Sequence, residues 1–174
     1  MWDGCSQAAQ RWVSVRSSEA VLRKVQLKRQ RVDVAAPRDL LFEVVASAGK
    51  TISSTERGNL VEFETRVRDK VVKTVEEVVL DPPHRIGYRW VEGVLDDVEE
   101  EIRFESTGPH ESAMTYSGRF GAQQGVTGWL RGLVFVRPIF NRLVGEHLLE
   151  GKRIAEKRAQ RSSIHPPESP AGRS

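Results

Sequence analysis

The chain has 174 residues, 39% of them hydrophobic and 29% charged, and a formal net charge of +3. This size and balance fit one domain with a sizeable core and exclude a largely disordered chain. The longest strictly apolar run, Leu133–Val136, is far short of the ~20 residues that a membrane span needs. A single cysteine, Cys5, excludes an internal disulfide framework. Because the N-terminus also lacks a signal-peptide pattern, the sequence predicts a cytoplasmic protein.

Basic residues concentrate near the start of the chain and acidic residues in its middle. Residues 1–31 contain seven Lys or Arg and two acids, whereas residues 60–105 contain thirteen acids and seven bases. Such a distribution is compatible with contact to nucleic acid or to an anionic membrane surface. Because the basic residues carry no interleaved row of aromatic side chains, as a base-stacking groove requires, the sequence favours solvated ends and predicts no nucleic-acid partner.

The first strand and helix are predicted from a junction at residues 32–37, which read Val-Asp-Val-Ala-Ala-Pro. Residues 27–35 alternate as a strand, and residues 1–26, which have no clean period, are expected to form a loosely ordered extension. Pro37 cannot extend a strand ladder but suits the first turn of a helix. An apolar stripe over residues 40–45 then supports a short helix with one buried face.

Five or six further strands are predicted downstream, separated by short turns that contain Gly, Asn, Asp or Pro. Apolar and polar residues alternate in most of them, so one face of an antiparallel sheet is expected to be buried and the other solvated. The predicted strands cover residues 52–57, 60–68, 71–80, 85–92, 94–105 and 112–121.

A long amphipathic helix is predicted to close the domain. A flexible link over residues 121–128 leads to this helix, which covers residues 128–161. Pro138 interrupts the helical pattern, so a kink or break is expected near Arg137. The Ser- and Pro-rich end of the chain is expected to be disordered. The predicted organisation is therefore an extension, one domain and a tail, at residues 1–26, 27–161 and 162–174.

The order of these elements resembles that of the START/polyketide cyclase-like superfamily, which is also called SRPBCC. The junction at residues 32–37, followed by Leu40–Phe42, looks like the family's opening strand and proline-started helix. Residues 81–86, Asp-Pro-Pro-His-Arg-Ile, are similar to its turn before the middle strand, and residues 143–157 resemble its closing helix. The resemblance covers about residues 27–160, and the motifs that carry it are structural.

This resemblance implies an α+β helix-grip fold. In that fold a curved antiparallel sheet of six to seven strands wraps around a long C-terminal helix, with one or two short helices after the first strand. The resemblance also implies an elongated hydrophobic cavity between sheet and helix. Members bind sterols, lipids, plant hormones or polyketides, while others are aromatase/cyclases or chaperone cofactors. No shared catalytic motif or cofactor is implied, so function depends on the residues that line the cavity.

Strand and helix periodicity predicts which side chains line that cavity. Aromatic walls with two phenol hydroxyls and an indole N–H suit a flat or elongated apolar ligand with a few oxygens. The simpler alternative is that these side chains only fill a core. The expected ligand-binding residues are Phe63, Thr65, Tyr88, Trp90, Glu100, Met114, Tyr116, Phe120, Arg137, Phe140 and Val144.

Glu100 is the outlier among them and the candidate catalytic residue. It shares a predicted strand face with Val98 and Ile102. A carboxylate in apolar surroundings must be paired or have a raised pKa, and either state suits proton transfer. The alternative is a β-bulge that turns Glu100 to solvent. Arg137 could pair with Glu100 or bind an acidic ligand head, or it could lie solvated on the helix surface.

Metal and nucleotide binding find no support, because the sequence has no HxxxH, CxxC, GxGxxG or phosphate-loop pattern. The leading interpretation is binding or transport of a small lipophilic ligand, such as a lipid, sterol or polyketide, by a monomer or homodimer without an integral membrane part. One alternative is a polyketide cyclase/dehydratase in which Glu100 is the general acid/base and Tyr88 or Tyr116 holds a substrate oxygen. Another is a chaperone-cofactor-like module that binds a protein through the outer face of the sheet.

Overall fold

The computed structural model describes residues 23–67, 69–122 and 125–164. The predictions for Cys5, for most of the N-terminal extension and for most of the C-terminal tail lie outside these residues. Within these ranges there are three α-helices, and a π-helical turn, Gly132–Val136, joins the second to the third. These helices are α1 (Arg38–Ala46), α2 (Gly125–Arg131) and α3 (Arg137–Ile164). The strands are β1 (Lys24–Gln26), β2 (Gln30–Val34), β3 (Lys50–Ser54), β4 (Asn59–Val67), β5 (Lys70–Asp81), β6 (Arg85–Glu92), β7 (Asp96–Gly108) and β8 (Glu111–Gly121).

All eight strands form one antiparallel sheet in the order β1-β8-β7-β6-β5-β4-β3, with β2 also paired to β8. The predicted α+β class and the meander from β3 to β8 are therefore confirmed. The predicted first strand, residues 27–35, is shorter in the structure, where β2 covers Gln30–Val34, and a separate strand, β1, precedes it and begins the sheet at Lys24. The two strands are separated at Lys28, whose N–H donates to Asn141 Oδ1 of α3 at 2.9 Å instead of to β8.

The inner face of the sheet packs against α1 and α3, and this contact forms the core. Helix α1 begins after Pro37, where the sequence predicts it, and buries Leu41, Phe42 and Val44. The Phe42 ring meets Phe104 of β7 edge-on, with ring centroids 5.4 Å apart. From α3, the buried side chains of Val144, Leu148 and Ala155 lie in the same core. Each large apolar side chain buried here stabilises the fold by about 1.5–3 kcal/mol.

The segment before α3 differs from the prediction. The expected flexible link is helical from Gly125 onward, and the interruption is a π-helical turn that ends at Val136, one residue before Arg137. Pro138 lacks the N–H that would donate to the Val134 carbonyl, and its ring crowds that carbonyl, so the preceding turn widens. Helix α3 then runs to Ile164, past the predicted boundary at residue 161. In the part of the chain that the structure describes, no helix is both long and apolar enough to cross a membrane.

Candidate functional site

Glu100 lies on the inner face of the sheet. The register of β7 against β8 shifts only between Asp96 and Glu99 and again near its far end, so regular alternation runs through Glu100. Glu100 stands beside Tyr88 of β6 and Gly118 of β8. A bulge does occur in β7, where Asp97 has a φ of 51°, but it precedes Glu99 and leaves Glu100 facing inward. The alternative in which a bulge turns Glu100 to solvent is therefore wrong.

Two neutral donors satisfy the Glu100 carboxyl group. The Tyr116 hydroxyl donates to Oε1 at 2.7 Å, and the Trp90 indole N–H donates to Oε2 at 2.9 Å. Burial raises the pKa of Glu100, and these two hydrogen bonds oppose the rise because they stabilise the ionised form. The hypothesised ion pair with Arg137 is absent among the described residues. Instead, Arg137 Nε is buried without a hydrogen-bond partner.

Glu76 is a second carboxyl group on the inner face of the sheet, and it is not among the site residues that the sequence predicts. It lies on β5 beside Val61 and Trp90 of the flanking strands, and only 7% of its surface is exposed. The Thr74 hydroxyl donates to Glu76 Oε1 at 2.8 Å. Burial, together with the neighbouring charge of Glu100, raises the pKa of Glu76 to about 8. Two carboxyl groups that share an apolar site do not readily ionise together, so their titrations are coupled.

Aromatic rings enclose the two carboxyl groups. Tyr88 meets Phe63 edge-on at a centroid separation of 6.1 Å. Phe140 of α3 lies 5.8 Å from Trp90 and stacks on Phe120 at 6.3 Å, so α3 covers this end of the site. Burial and the nearby carboxylates raise the pKa of Tyr88 and of Tyr116. Both phenols therefore stay neutral at physiological pH and can donate hydrogen bonds.

The remaining predicted site residues are less closely associated with Glu100. Thr65 is half-buried on β4, where it stands opposite Val72. Met114 is fully buried, and its terminal methyl group lies beside Gly151 of α3. Val144 is buried in the same core. These positions contribute to the contact between sheet and helix, whereas the residues that the structure brings together around Glu100 are Tyr88, Trp90, Tyr116, Phe120 and Phe140.

A small internal cavity and an open outer groove lie on opposite faces of the sheet. The cavity, of about 100 Å³, lies between the end of α1 and the inner face, and its lining includes Gly49, Phe63 and Tyr88. The groove, of about 500 Å³, is lined by charged side chains that include the Arg89–Glu77 and Arg119–Glu99 ion pairs. Ligand pockets usually measure ~300–1,000 Å³. In this conformation the inner face is therefore packed largely as a core.

Metal binding has no structural basis in the described ranges, because no group of three His, Cys, Asp or Glu residues is placed to hold an ion. Glu76 and Glu100 are bonded to hydroxyl and indole donors instead. Within the same ranges neither carboxyl group forms an ion pair. The site can therefore accept, donate and exchange protons, and it can hold an oxygen-bearing molecule through neutral hydrogen-bonding groups.

Comparison with known proteins gives matches in structure only. No protein-family profile matches the sequence, and no curated protein matches it. Among solved structures, the Zhui aromatase/cyclase from a Streptomyces species superposes with a TM-score of 0.63 at 17% identity, covering 84% of this chain and 100% of that one. The chain has the helix-grip fold of the START/polyketide cyclase-like superfamily. At the level of the fold, this likeness confirms the resemblance drawn from the opening junction and the closing helix.

Two further structures show the same fold. A protein from Thermus thermophilus matches with a TM-score of 0.62 at 17% identity, covering 80% of this chain and 99% of its own. A START superfamily protein from Mycobacterium smegmatis matches with a TM-score of 0.56 at 15% identity, covering 79% of this chain and 99% of its own. At these identities the likeness establishes the fold, and the site must be interpreted from its own residues.

Proposed function

We propose that the protein binds a small lipophilic molecule bearing a hydroxyl or carbonyl oxygen, on the inner face of the sheet beneath α3. The observation that carries this proposal is the pair of inward-facing carboxyl groups, Glu76 and Glu100, enclosed by aromatic rings and bonded only to neutral donors. Burying carboxyl groups costs free energy that an apolar core avoids. Perturbed groups of this kind concentrate at functional sites.

The chemistry of the site defines the class of ligand. Near neutral pH a protonated Glu76 donates a hydrogen bond, while Glu100 and the two phenols offer both acceptors and donors. Flat rings can pack against Phe63 and Tyr88 on one side and Trp90 and Phe140 on the other. A lipid, sterol or polyketide-like molecule has this combination of apolar bulk and a few oxygens. The existing cavity of about 100 Å³ is too small for such a molecule, so binding must displace part of the covering helices.

A binding titration with matched variants tests the proposal. The probe is emodin, a flat hydroxylated polyketide, followed by calorimetry and by chemical-shift changes. We expect Glu100→Gln to weaken binding by about tenfold or more, because a hydrogen bond to a charged group contributes about 1.5–3 kcal/mol. The control is Glu99→Gln, the next residue on β7, whose carboxylate pairs with Arg119 on the outer face. Equal affinities for the two variants, or shift changes confined to the outer groove, would contradict the proposal.

A cyclase/dehydratase is the second candidate, and the pKa of about 8 for Glu76 favours it. That value keeps Glu76 protonated near neutral pH, while Glu100 accepts hydrogen bonds from Tyr116 and Trp90, so the inner face offers both a proton donor and an acceptor. In the aldol step, the Glu100 carboxylate would remove a proton from the carbon next to a carbonyl, that carbon would bond to a second carbonyl carbon, and Glu76 would protonate the oxygen there to give a hydroxyl. Once solvent has taken the proton from Glu100 and returned one to Glu76, the dehydration would repeat the exchange: Glu100 would remove a second proton from the same carbon, and Glu76 would protonate the hydroxyl, which leaves as water.

Turnover of a synthetic polyketone thioester separates the two functions. If the protein is a cyclase, the aromatic product appears in the ultraviolet spectrum and Glu100→Gln lowers the rate by about 10²-fold or more. Glu76→Gln then alters the pH profile, while the outer-face control Glu99→Gln keeps the wild-type rate. Tight binding of the thioester without any product would support ligand binding and contradict the cyclase.

A further inference from the structure

A row of exposed apolar side chains lies on the helical segment that precedes the body of α3. The exposed fraction of the side chain is 51% for Leu130, 51% for Val134, 66% for Phe135 and 48% for Ile139. The opposite side of the same segment is buried, since Gly132 packs closely against Phe120 of β8. Scattered apolar residues are normal on a protein surface, but a contiguous row of large ones marks an interaction site.

The π-helical turn brings these four side chains together. In a continuous α-helix, at ~100° per residue, they would spread over roughly 180° of the helix surface. In a π-helical turn the hydrogen bonds span five residues instead of four. Successive residues are therefore related by a smaller rotation about the helix axis. With Gly132–Val136 in that conformation, the four side chains fall within an arc of roughly 100°. The π-helical turn before Pro138 therefore places the four apolar side chains on one narrow face of the segment instead of on two separate faces.

The sequence that contains this face is basic. Residues 112–145 contain four arginines and no Asp or Glu. Arg131 is exposed beside Leu130, and Arg142 is exposed one turn beyond Ile139, where it pairs with Glu146. Acidic side chains lie at the end of β8, where Asp96 stands opposite Gly121. Lys24 pairs with Asp97 and offsets part of that charge.

We propose that the segment Leu130–Arg142, here called the α2–α3 strip, docks onto the surface of an anionic lipid bilayer. An apolar face flanked by the exposed arginines Arg131 and Arg142 matches a membrane surface, where anionic headgroups lie above hydrocarbon. The strip would lie in the plane of the interface with Phe135, its most exposed apolar side chain, inserted deepest. This inference does not depend on the inner-face ligand, because every residue of the apolar row points away from the core.

Vesicle flotation of the full-length chain tests this docking. Vesicles of phosphatidylcholine alone are compared with vesicles that contain about one third phosphatidylglycerol. We expect the protein to float with the anionic vesicles, to stay largely unbound with the neutral ones, and to be released by about 0.5 M salt. The double variant Phe135→Ser/Ile139→Ser should lower the partition coefficient at least tenfold through lost apolar burial. Arg131→Gln alone should lower it roughly fivefold.

Val94→Ser is the matched control for the double variant. Val94 is 72% exposed in the turn between β6 and β7, so its replacement removes a surface apolar side chain outside the strip and should leave vesicle binding unchanged. Thermal denaturation establishes that each variant is folded, and Arg131→Gln, an exposed substitution, keeps the test decisive if the double variant is unstable. Wild-type binding by the variants, or no flotation with anionic vesicles, would overturn the proposal. The proposal would also be overturned if the wild type were a dimer and the double variant a monomer. The strip would then be an interface between two copies of the chain.

Discussion

Replacing Glu76 with glutamine should remove a pH-dependent loss of stability that this carboxyl group imposes on the fold. The pKa of Glu76 is raised from its ordinary value of 4.5 to about 8, first by burial and then by the charge of Glu100. A carboxyl group whose pKa is higher in the folded state binds more protons when folded than when unfolded. The free energy of unfolding therefore falls as the pH rises from about 4.5 to about 8.

The size of this effect follows from the shift. One pKa unit corresponds to 1.36 kcal/mol, so ionising Glu76 should cost about 3 kcal/mol of stability between pH ~5 and pH ~8. Glutamine has the same shape, can still accept the Thr74 hydrogen bond and has no proton to lose. The advantage of Glu76→Gln over the wild type should therefore be small near pH 5 and grow to about 3 kcal/mol near pH 8.

Urea unfolding at several pH values, followed by circular dichroism, measures this difference. The control is Glu77→Gln, the next residue on β5, which pairs with Arg89 on the outer face. That variant should keep the fall in unfolding free energy between pH ~5 and pH ~8, because Glu76, which causes it, is unchanged. Parallel curves of unfolding free energy against pH for the wild type and Glu76→Gln would refute the assignment of Glu76 as a buried, protonated carboxyl group.

Two further substitutions test the surroundings of the site by the same unfolding assay. Tyr116→Phe removes the donor to Glu100 Oε1, so it should raise the pKa of Glu100 further and cost about 1–3 kcal/mol, with a larger cost above neutral pH than at pH ~5. An equal cost at both values would contradict this coupling. Gly49→Ala should cost about 2–4 kcal/mol, because Gly49 has a φ of +80° and a Cβ there would approach Phe63 to 2.7 Å. Gly87→Ala, where the new methyl group meets nothing within 4 Å, should change stability by less than about 1 kcal/mol, and similar costs for the two alanines would refute the steric argument.

The sequence predicts the fold well because its strongest signals are local. Pro37 places the start of α1, and strict alternation in β7 assigns Glu100 to the buried face together with Val98 and Ile102. Both signals depend only on backbone geometry and on a period of two, which tertiary contacts rarely override. The same alternation predicts the enclosing aromatic residues that lie on strands, and helical spacing predicts Phe140.

The features that the sequence did not predict depend on contacts between distant residues. Glu76 is ambiguous because β5 has valines on both faces, so alternation alone does not show which side is buried. The π-helical turn requires Pro138 to act on a segment already held against β8. The donors to Glu100 come from two other strands, and no local pattern specifies which side chains will reach its oxygens.

The order of strands in the sheet has a consequence for synthesis of the protein. Strand β2 pairs with β8, so Gln30 finds its partner, Tyr116, only after the whole meander between them has been made. Strands β3 to β8 pair with their neighbours in sequence and can assemble as they leave the ribosome. The earliest residues of the domain must wait, and the inner apolar face stays open to water until α3 arrives. A nascent chain stalled before Arg137 would therefore expose Trp90 and Phe120 and would depend on chaperones until its last helix is released.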